Sequence, residues 1–183
     1  MGHQVRDRVE EVHERFLMKI VTEGIHRVYL RQAYIHAQAR SQDSNTQNGA
    51  LIVFPSSGII SADVNRYPSI REPAYQKKYD YIEHAERAVI YRCVSKGLTT
   101  LNTHMYCPFI TCPDCARAIV MSGIKRVVGH KTIWDIIPER WKPKCNIGIN
   151  ILEGAGVEVL MFDGKVLNEG EFKIRFNGED IEP

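Results

Sequence analysis

Two short clusters in this sequence combine residue types that can hold a metal and move a proton: His84-Ala85-Glu86 and Cys112-Pro113-Asp114-Cys115. Two cysteines three positions apart can chelate one ion when they bracket a helix N-terminus, and Pro113 suits the first helical position, where its missing N–H costs nothing. A helix start also stabilises negative sulfur through its dipole and free N–H groups, which lowers the thiol pKa. Two thiolates with one imidazole suit Zn²⁺. Three protein ligands leave the fourth tetrahedral position to water, the arrangement of a catalytic rather than a structural zinc. Glu86, two positions after the histidine, can sit beside the metal without binding it. There it can take a proton from the zinc-bound water and pass protons to a substrate nitrogen and a leaving group.

Each cluster alone has an ordinary explanation. A single C-x-x-C is often half of a structural zinc site, and a lone helical histidine is usually packed or solvated. A structural zinc needs a fourth protein ligand, for which Cys107, Cys145, His104 and His130 are the candidates, Cys107 foremost. Against that, Cys107 reads as a buried strand cysteine, and Cys93 and Cys145 read as helix residues packed in the core.

The elements around the clusters alternate. Apolar residues recur at helical spacing over residues 9–39, with Gly24 dividing Val9, Val12, Phe16 and Ile20 from Ile25, Val28, Ala33, Tyr34 and Ala37, which predicts two helices or one broken helix. Residues 50–54 and 58–64 are short apolar runs separated by Pro55 and two serines, a hairpin of core strands. Residues 65–79 carry two prolines and no sustained period, a long loop of the functional kind. After it come a helix (83–96), a strand (103–107), a helix (113–122), a strand (125–129), a helix (145–153) and a last strand (157–161). This order predicts an α/β fold in three layers, a mixed five-stranded sheet between helices, with its later strands parallel. One domain over residues 1–183 is expected, with a core of about 28–161, an N-terminal helical extension 1–27 and a C-terminal tail 162–183.

Composition narrows the partners. Lys plus Arg number 24 against 22 Asp plus Glu, for a formal charge of +2, and this supplies no field for a polyanion. Residues 161–183 carry Lys165, Lys173 and Arg175 against six acidic residues, a sign that repels phosphate. Nucleic acid is therefore not an expected partner. The charged start and the lack of a long apolar run argue against a secretory signal or a membrane span, so a cytoplasmic address is expected. Five cysteines, an odd number, disfavour a disulfide framework.

The combination of H-x-E with a later C-x-x-C is the signature of the zinc nucleobase deaminases, and from about residue 28 to 161 the chain resembles the deoxycytidylate deaminase family. Residues 41–53 (SQDSNTQNGALIV) resemble its first loop and strand. Residues 105–119 and 122–125 resemble the stretch around the cysteine pair, and residues 156–158 the last strand. The resemblance implies the three-layer cytidine deaminase-like sandwich, zinc on His84, Cys112 and Cys115, Glu86 as the proton carrier, and hydrolysis of dCMP to dUMP and ammonia. It implies substrate contacts from Asn65, which matches the asparagine that commonly binds the sugar hydroxyl, and from Ala85. A homo-oligomer is implied by resemblance as well. The chain departs from the family at Thr111, where proline is usual, at Ala88, where asparagine is common, and at residues 63–68, which replace a glycine-rich turn.

For a monophosphate, the candidate cations are Arg66, Arg71, Lys77, Lys78, Arg87 and Lys131. Tyr67, Tyr75, Tyr79 and Tyr81 could stack on a pyrimidine. Two other readings stay open: a superfamily deaminase acting on another cytosine nucleoside or nucleotide or on a base in RNA, and an inactive zinc-stabilised assembly module.

Overall fold

Residues in the central strands alternate between two apolar faces, so the sheet they build must be covered on both sides. The structure, a computed structural model, describes residues 18–68 and 78–183. Its strands are β1 (Lys19–Val21), β2 (Gly49–Phe54), β3 (Gly58–Val64), β4 (His104–Tyr106), β5 (Arg126–His130), β6 (Glu158–Phe162), β7 (Ile174–Phe176) and β8 (Glu179–Ile181). Its helices are α1 (Gly24–Arg40), α2 (Lys78–Tyr81), α3 (Ala85–Ser95), α4 (Pro113–Met121), α5 (Lys131–Ile136) and α6 (Lys142–Gly154). The main sheet runs β1-β6-β5-β4-β2-β3. β2 pairs antiparallel with β3 and β4, whereas β4-β5, β5-β6 and β6-β1 are parallel.

Period two assigns the layers. Leu51, Val53, Tyr106, Val128, Leu160 and Phe162 point to the side covered by α1, where Leu30, Ala33, Tyr34 and Ala37 meet them. Their neighbours Ala50, Ile52, Met105, Val127, Val159 and Met161 point to the opposite side, against Val89 and Cys93 of α3, Ile119 of α4 and Leu152 of α6. The three-layer expectation holds, with one correction: the sheet has six strands, not five. Lys19–Val21 joins as an edge strand, Ile20 lying opposite Met161. Three extended residues are too few to display a period, and Ile20 falls into helical register with Val12 and Phe16 by coincidence. The rest of the expected N-terminal helix lies outside the described residues.

Residues 162–183 add to the core. Val166, Leu167, Ile174 and Phe176 are buried on the α1 side of the sheet. β7 and β8 form a hairpin around Asn177 (φ 50°) and Gly178 (φ 85°), the two-residue turn with positive φ at both positions that Asn-Gly favours. Arg27 donates to the Lys165 carbonyl (3.1 Å) and the Asn168 side chain (3.0 Å), and Arg31 pairs with Glu171. The acidic segment is thereby matched by arginines of α1.

His130, at the end of β5, is fully buried. Its Nδ1 lies 2.7 Å from the Tyr34 hydroxyl and its Nε2 2.9 Å from the Gly164 carbonyl. The neutral ring with hydrogen on Nε2 satisfies both partners, and burial pushes its pKa below the ordinary 6.5. A lowered folded pKa means the unfolded chain binds more protons between that value and 6.5. The contribution is therefore complete above about pH 6.5 and is lost as pH falls through this window. His26, His36 and His104 are shifted downward too, burial again the first cause, and add slope of the same sign. Urea midpoints measured from about pH 7.5 to about pH 5.5 should fall for the parent. They should fall less steeply for His130→Gln, and equal slopes would remove His130 from this account.

Candidate metal centre and substrate cavity

Both sequence clusters sit where a helix begins. His84 is the N-cap of α3 and Cys112 the N-cap of α4, each with extended backbone. Pro113 occupies the first turn of α4, and the Cys115 N–H reaches back to the Cys112 sulfur at 3.5 Å. The two helix starts thus bring the imidazole and both sulfurs together, and a first-turn N–H of α4 reaches the Cys112 sulfur. α4 follows β4 through residues 107–112, so the cysteine pair lies beyond the carboxyl end of a parallel strand, the usual place for a site in an open α/β sheet.

The ligand atoms of His84, Cys112 and Cys115 all lie within 4.8 Å of one another. His84 Nδ1 is 3.7 Å from Cys112 Sγ and 3.6 Å from Cys115 Sγ. A tetrahedral zinc, bonded to thiolate at about 2.3 Å and to imidazole at about 2.0–2.1 Å, requires sulfur-to-nitrogen edges of about 3.6 Å. The donor set and its spacing therefore fit Zn²⁺. Among the described residues this is the one such group of three or more metal-binding side chains. None of the four candidate fourth ligands joins it. Cys107 is buried, with the Asn48 amide donating to its sulfur (3.1 Å) and its thiol directed at the Phe109 carbonyl (3.3 Å). His104 lies on β4, His130 is held by Tyr34, and Cys145 is buried on α6.

The two thiols are coupled. Hydrogen bonding from Cys115 pulls the Cys112 thiol pKa well down, and the same contact pushes Cys115 up. Cys112 ionises first because it also receives the Cys115 N–H and faces His84. Arg87 braces the second sulfur, with Nη1 3.7 Å from Cys115 Sγ while Nε donates to Glu83 at 2.6 Å. Glu86 is 2% exposed, and burial pushes its carboxyl upward, opposed by the nearby His84.

A cavity of about 440 Å³ opens over the cluster, a volume suited to a small ligand. His84, Glu86, Arg87 and Cys112 line it, together with Asp43, Thr46, Asn48 and Asn65 and with Phe109, Trp141, Lys144 and Cys145. Asn65 and Ala85 are joined directly, the Ala85 N–H donating to Asn65 Oδ1 at 2.9 Å, while Asn65 Nδ2 donates to the Thr46 carbonyl at 2.8 Å. Of the expected phosphate cations, Lys78 and Arg87 line the cavity. Arg66 pairs instead with Asp63 (3.6 Å) and Lys131 with Asp135 (2.5 Å). Tyr67 is buried and Tyr81 is 53% exposed; neither lines the cavity. Arg71, Tyr75 and Lys77, and the side chain of Tyr79, lie outside the described residues.

Sequence reasoning missed Asn48, Phe109, Trp141 and Lys144. They come from three segments far apart in the sequence, Trp141 and Lys144 both from the start of α6. For Asn48 alone a signal existed, a polar side chain immediately before a strand. It donates to the Phe109 carbonyl (3.0 Å) and accepts the Phe109 N–H (3.3 Å), fixing the loop that leads to Cys112.

Behind that loop lies Gly148 of α6. A Cβ built there would fall 2.2 Å from the Thr111 carbonyl oxygen, so only glycine lets the helix backbone come this close. Thr111 precedes the ligand Cys112. Gly148→Ala should destabilise the protein by about 1–3 kcal/mol through overpacking and should weaken zinc retention in the same sample. Urea unfolding together with competition against a zinc chelator checks both. Parent-like values would show that α6 does not press on the metal loop.

A mixed six-stranded sheet between helical layers, with three zinc-type ligands at two helix starts and a buried carboxylate beside them, is the layout of the zinc deaminases. The family model described as the cytidine and deoxycytidylate deaminase zinc-binding region matches residues 24–131, more than half of the chain, and the chain belongs to this family. The matched region is a zinc-binding one and contains the cluster of His84, Cys112 and Cys115, which fits Zn²⁺ as the cofactor.

Among relatives, human deoxycytidylate deaminase is 31% identical over 112 residues, covering 55% of this chain and 61% of that protein. The deoxycytidylate deaminase of Enterobacteria phage T4 is 36% identical over 86 residues, 47% of this chain and 40% of that protein. An uncharacterised deaminase of Aliivibrio fischeri is 30% identical over 126 residues, 65% of this chain and 81% of that protein. The chain thus spans 61% of the length of the human relative. The crystal structure of dCMP deaminase from cyanophage S-TIM5 with dCMP and dUMP shares the fold, with a TM-score of 0.63 at 21% identity over 78% of this chain and 99% of that one. No helix among the described residues is long and apolar enough to cross a membrane.

Proposed function

We propose that this chain, as one domain over residues 1–183, catalyses the hydrolytic deamination of dCMP to dUMP and ammonia. The observation that carries the reading is a buried, upshifted carboxyl, Glu86, lining a ligand-sized cavity beside a three-ligand zinc site. His84, Cys112 and Cys115 hold the zinc, which when bound supplies a Lewis acid that makes water nucleophilic near neutral pH. Glu86 takes the proton from the water that attacks C4 of the cytosine and delivers it to N3. It then takes the proton of the hydroxyl now on C4 and passes it to the amino group, so that the C4=O bond forms, the C4–N bond breaks and ammonia leaves. Burial suits this task, because a carboxyl raised above its ordinary range accepts a proton more readily.

Asn65 keeps one N–H and one Oδ1 lone pair beyond its bonds to Thr46 and Ala85, enough to engage a sugar hydroxyl. Its hold on the Ala85 N–H also fixes the helix start that carries Glu86. Lys78, Arg87 and Lys144 on the cavity wall support a phosphorylated substrate, and the likeness to human and phage T4 proteins named for deoxycytidylate supports the base and sugar. A cytoplasmic setting and a homo-oligomer, which sedimentation tests, belong to the same reading. The decisive assay measures ammonia release from cytosine, cytidine, deoxycytidine, CMP, dCMP and dCTP side by side. dCMP should be fastest. Equal rates on deoxycytidine and dCMP would take the phosphate out of the proposal.

A further inference from the structure

Part of the cavity lining, Trp141, Lys144 and Cys145, comes from residues beyond the segment shared with the family, which ends at residue 131. Trp141 and Phe109 stack there, with ring centroids 5.6 Å apart and planes 25° from parallel. Phe176, at the end of β7, presents its ring at right angles to both, 5.3 Å from Phe109 and 6.0 Å from Trp141. It is buried and does not line the cavity, so its contact with any ligand is indirect. The next residue reaches the same wall from outside. Asn177 Oδ1 accepts from Arg140 at 2.9 Å, and the Arg140 guanidinium lies 5.2 Å from the Trp141 ring centroid.

The hairpin also grips the other wall. The Asn177 N–H donates to Thr46 Oγ1 (3.3 Å), the Gly178 N–H to the Asn45 carbonyl (2.8 Å), and the Gln47 N–H to the Arg175 carbonyl (2.8 Å). Thr46 in turn accepts from Asn65, which holds the Ala85 N–H. A continuous path of contacts therefore joins the C-terminal hairpin to both the aromatic wall and the helix start beside the metal.

We infer that the β7-β8 hairpin is part of the substrate-binding apparatus, with Phe176 as the positioning residue that holds Phe109 and Trp141 in place for the nucleotide. This rests on the proposed deamination of dCMP. An edge-to-face pair contributes roughly enough to alter binding severalfold, and Phe176 makes two. The hairpin therefore acts on ligand affinity and leaves the chemical step at Glu86 alone.

The test measures dCMP binding by calorimetry in zinc-loaded Glu86→Gln protein, where no turnover intervenes, and KM and kcat in the active background. Phe176→Ala should raise Kd and KM about tenfold while kcat stays within about twofold and zinc content is unchanged. Phe176→Tyr, which keeps the ring, should restore parent values. The exposed Arg140→Ala change cannot open the core and should raise Kd about two- to threefold, so the inference stays testable if Phe176→Ala does not fold. Parent-like Kd and KM in a folded Phe176→Ala protein would overturn it. So would a fall in kcat with KM unchanged, or, where Phe176→Ala does not fold, a parent-like Kd in Arg140→Ala. A parent chain that neither binds nor deaminates dCMP would instead sink the function on which the inference rests, and the hairpin's role with it.

Discussion

Replacing Glu86 by glutamine should leave zinc stoichiometric and lower turnover of dCMP by about 10²–10⁴-fold, the range a positioned acid/base supplies. Glutamine has nearly the same shape, so the walls and the three ligands keep their places. It cannot accept a proton from water, and among the described residues the other carboxylates lining the cavity are already engaged. Asp114, which also lines the cavity, is tied to Arg117, and Asp43 is held by Lys78. Metal analysis and a steady-state assay on one preparation decide it. Retained zinc with parent-like turnover would remove Glu86 from the chemistry.

Removing a ligand should do the opposite. In Cys115→Ala the site keeps one sulfur and one nitrogen, and zinc affinity should fall by more than the about 10–100-fold that an outer partner of a ligand costs. Activity should vanish with the metal. The chain should still fold, because the two apolar layers about the sheet do not depend on the ion, unlike a zinc finger. Bound zinc nonetheless stabilises by mass action, about 4 kcal/mol when its free concentration is 1,000 times the Kd. The variant and chelator-treated parent should therefore melt lower, and alike. Thermal unfolding with and without chelator measures this. A chelator effect on Cys115→Ala as large as on the parent would show that the sulfur is not a ligand.

The chemistry was more legible in the sequence than the walls around it. His84, Glu86, Cys112 and Cys115 stand out because the proposed chemistry restricts residue type and spacing at once, and the structure places each cluster at a helix start. Strands such as residues 50–54 and 157–161 were readable because burial on both faces leaves an unbroken apolar run. Short elements were not. Lys19–Val21 and Lys131–Ile136 are too brief to show a period, and Lys78–Tyr81 is a single turn inside a polar loop. The hairpin did carry a signal, Asn177-Gly178 between alternating residues, but its acidic setting disguised a segment whose Ile174 and Phe176 are buried. Phe109 meets Trp141 and Lys144 only through the packing of two distant segments, which no local pattern encodes.

X-ray absorption at the zinc edge of the purified protein tests the central claim most directly. One zinc per chain is expected, bonded to two sulfurs at about 2.3 Å and one imidazole nitrogen at about 2.0–2.1 Å, with one further light atom from solvent. A spectrum requiring a third sulfur or a second imidazole, or a protein free of zinc, would contradict a catalytic centre built on His84, Cys112 and Cys115.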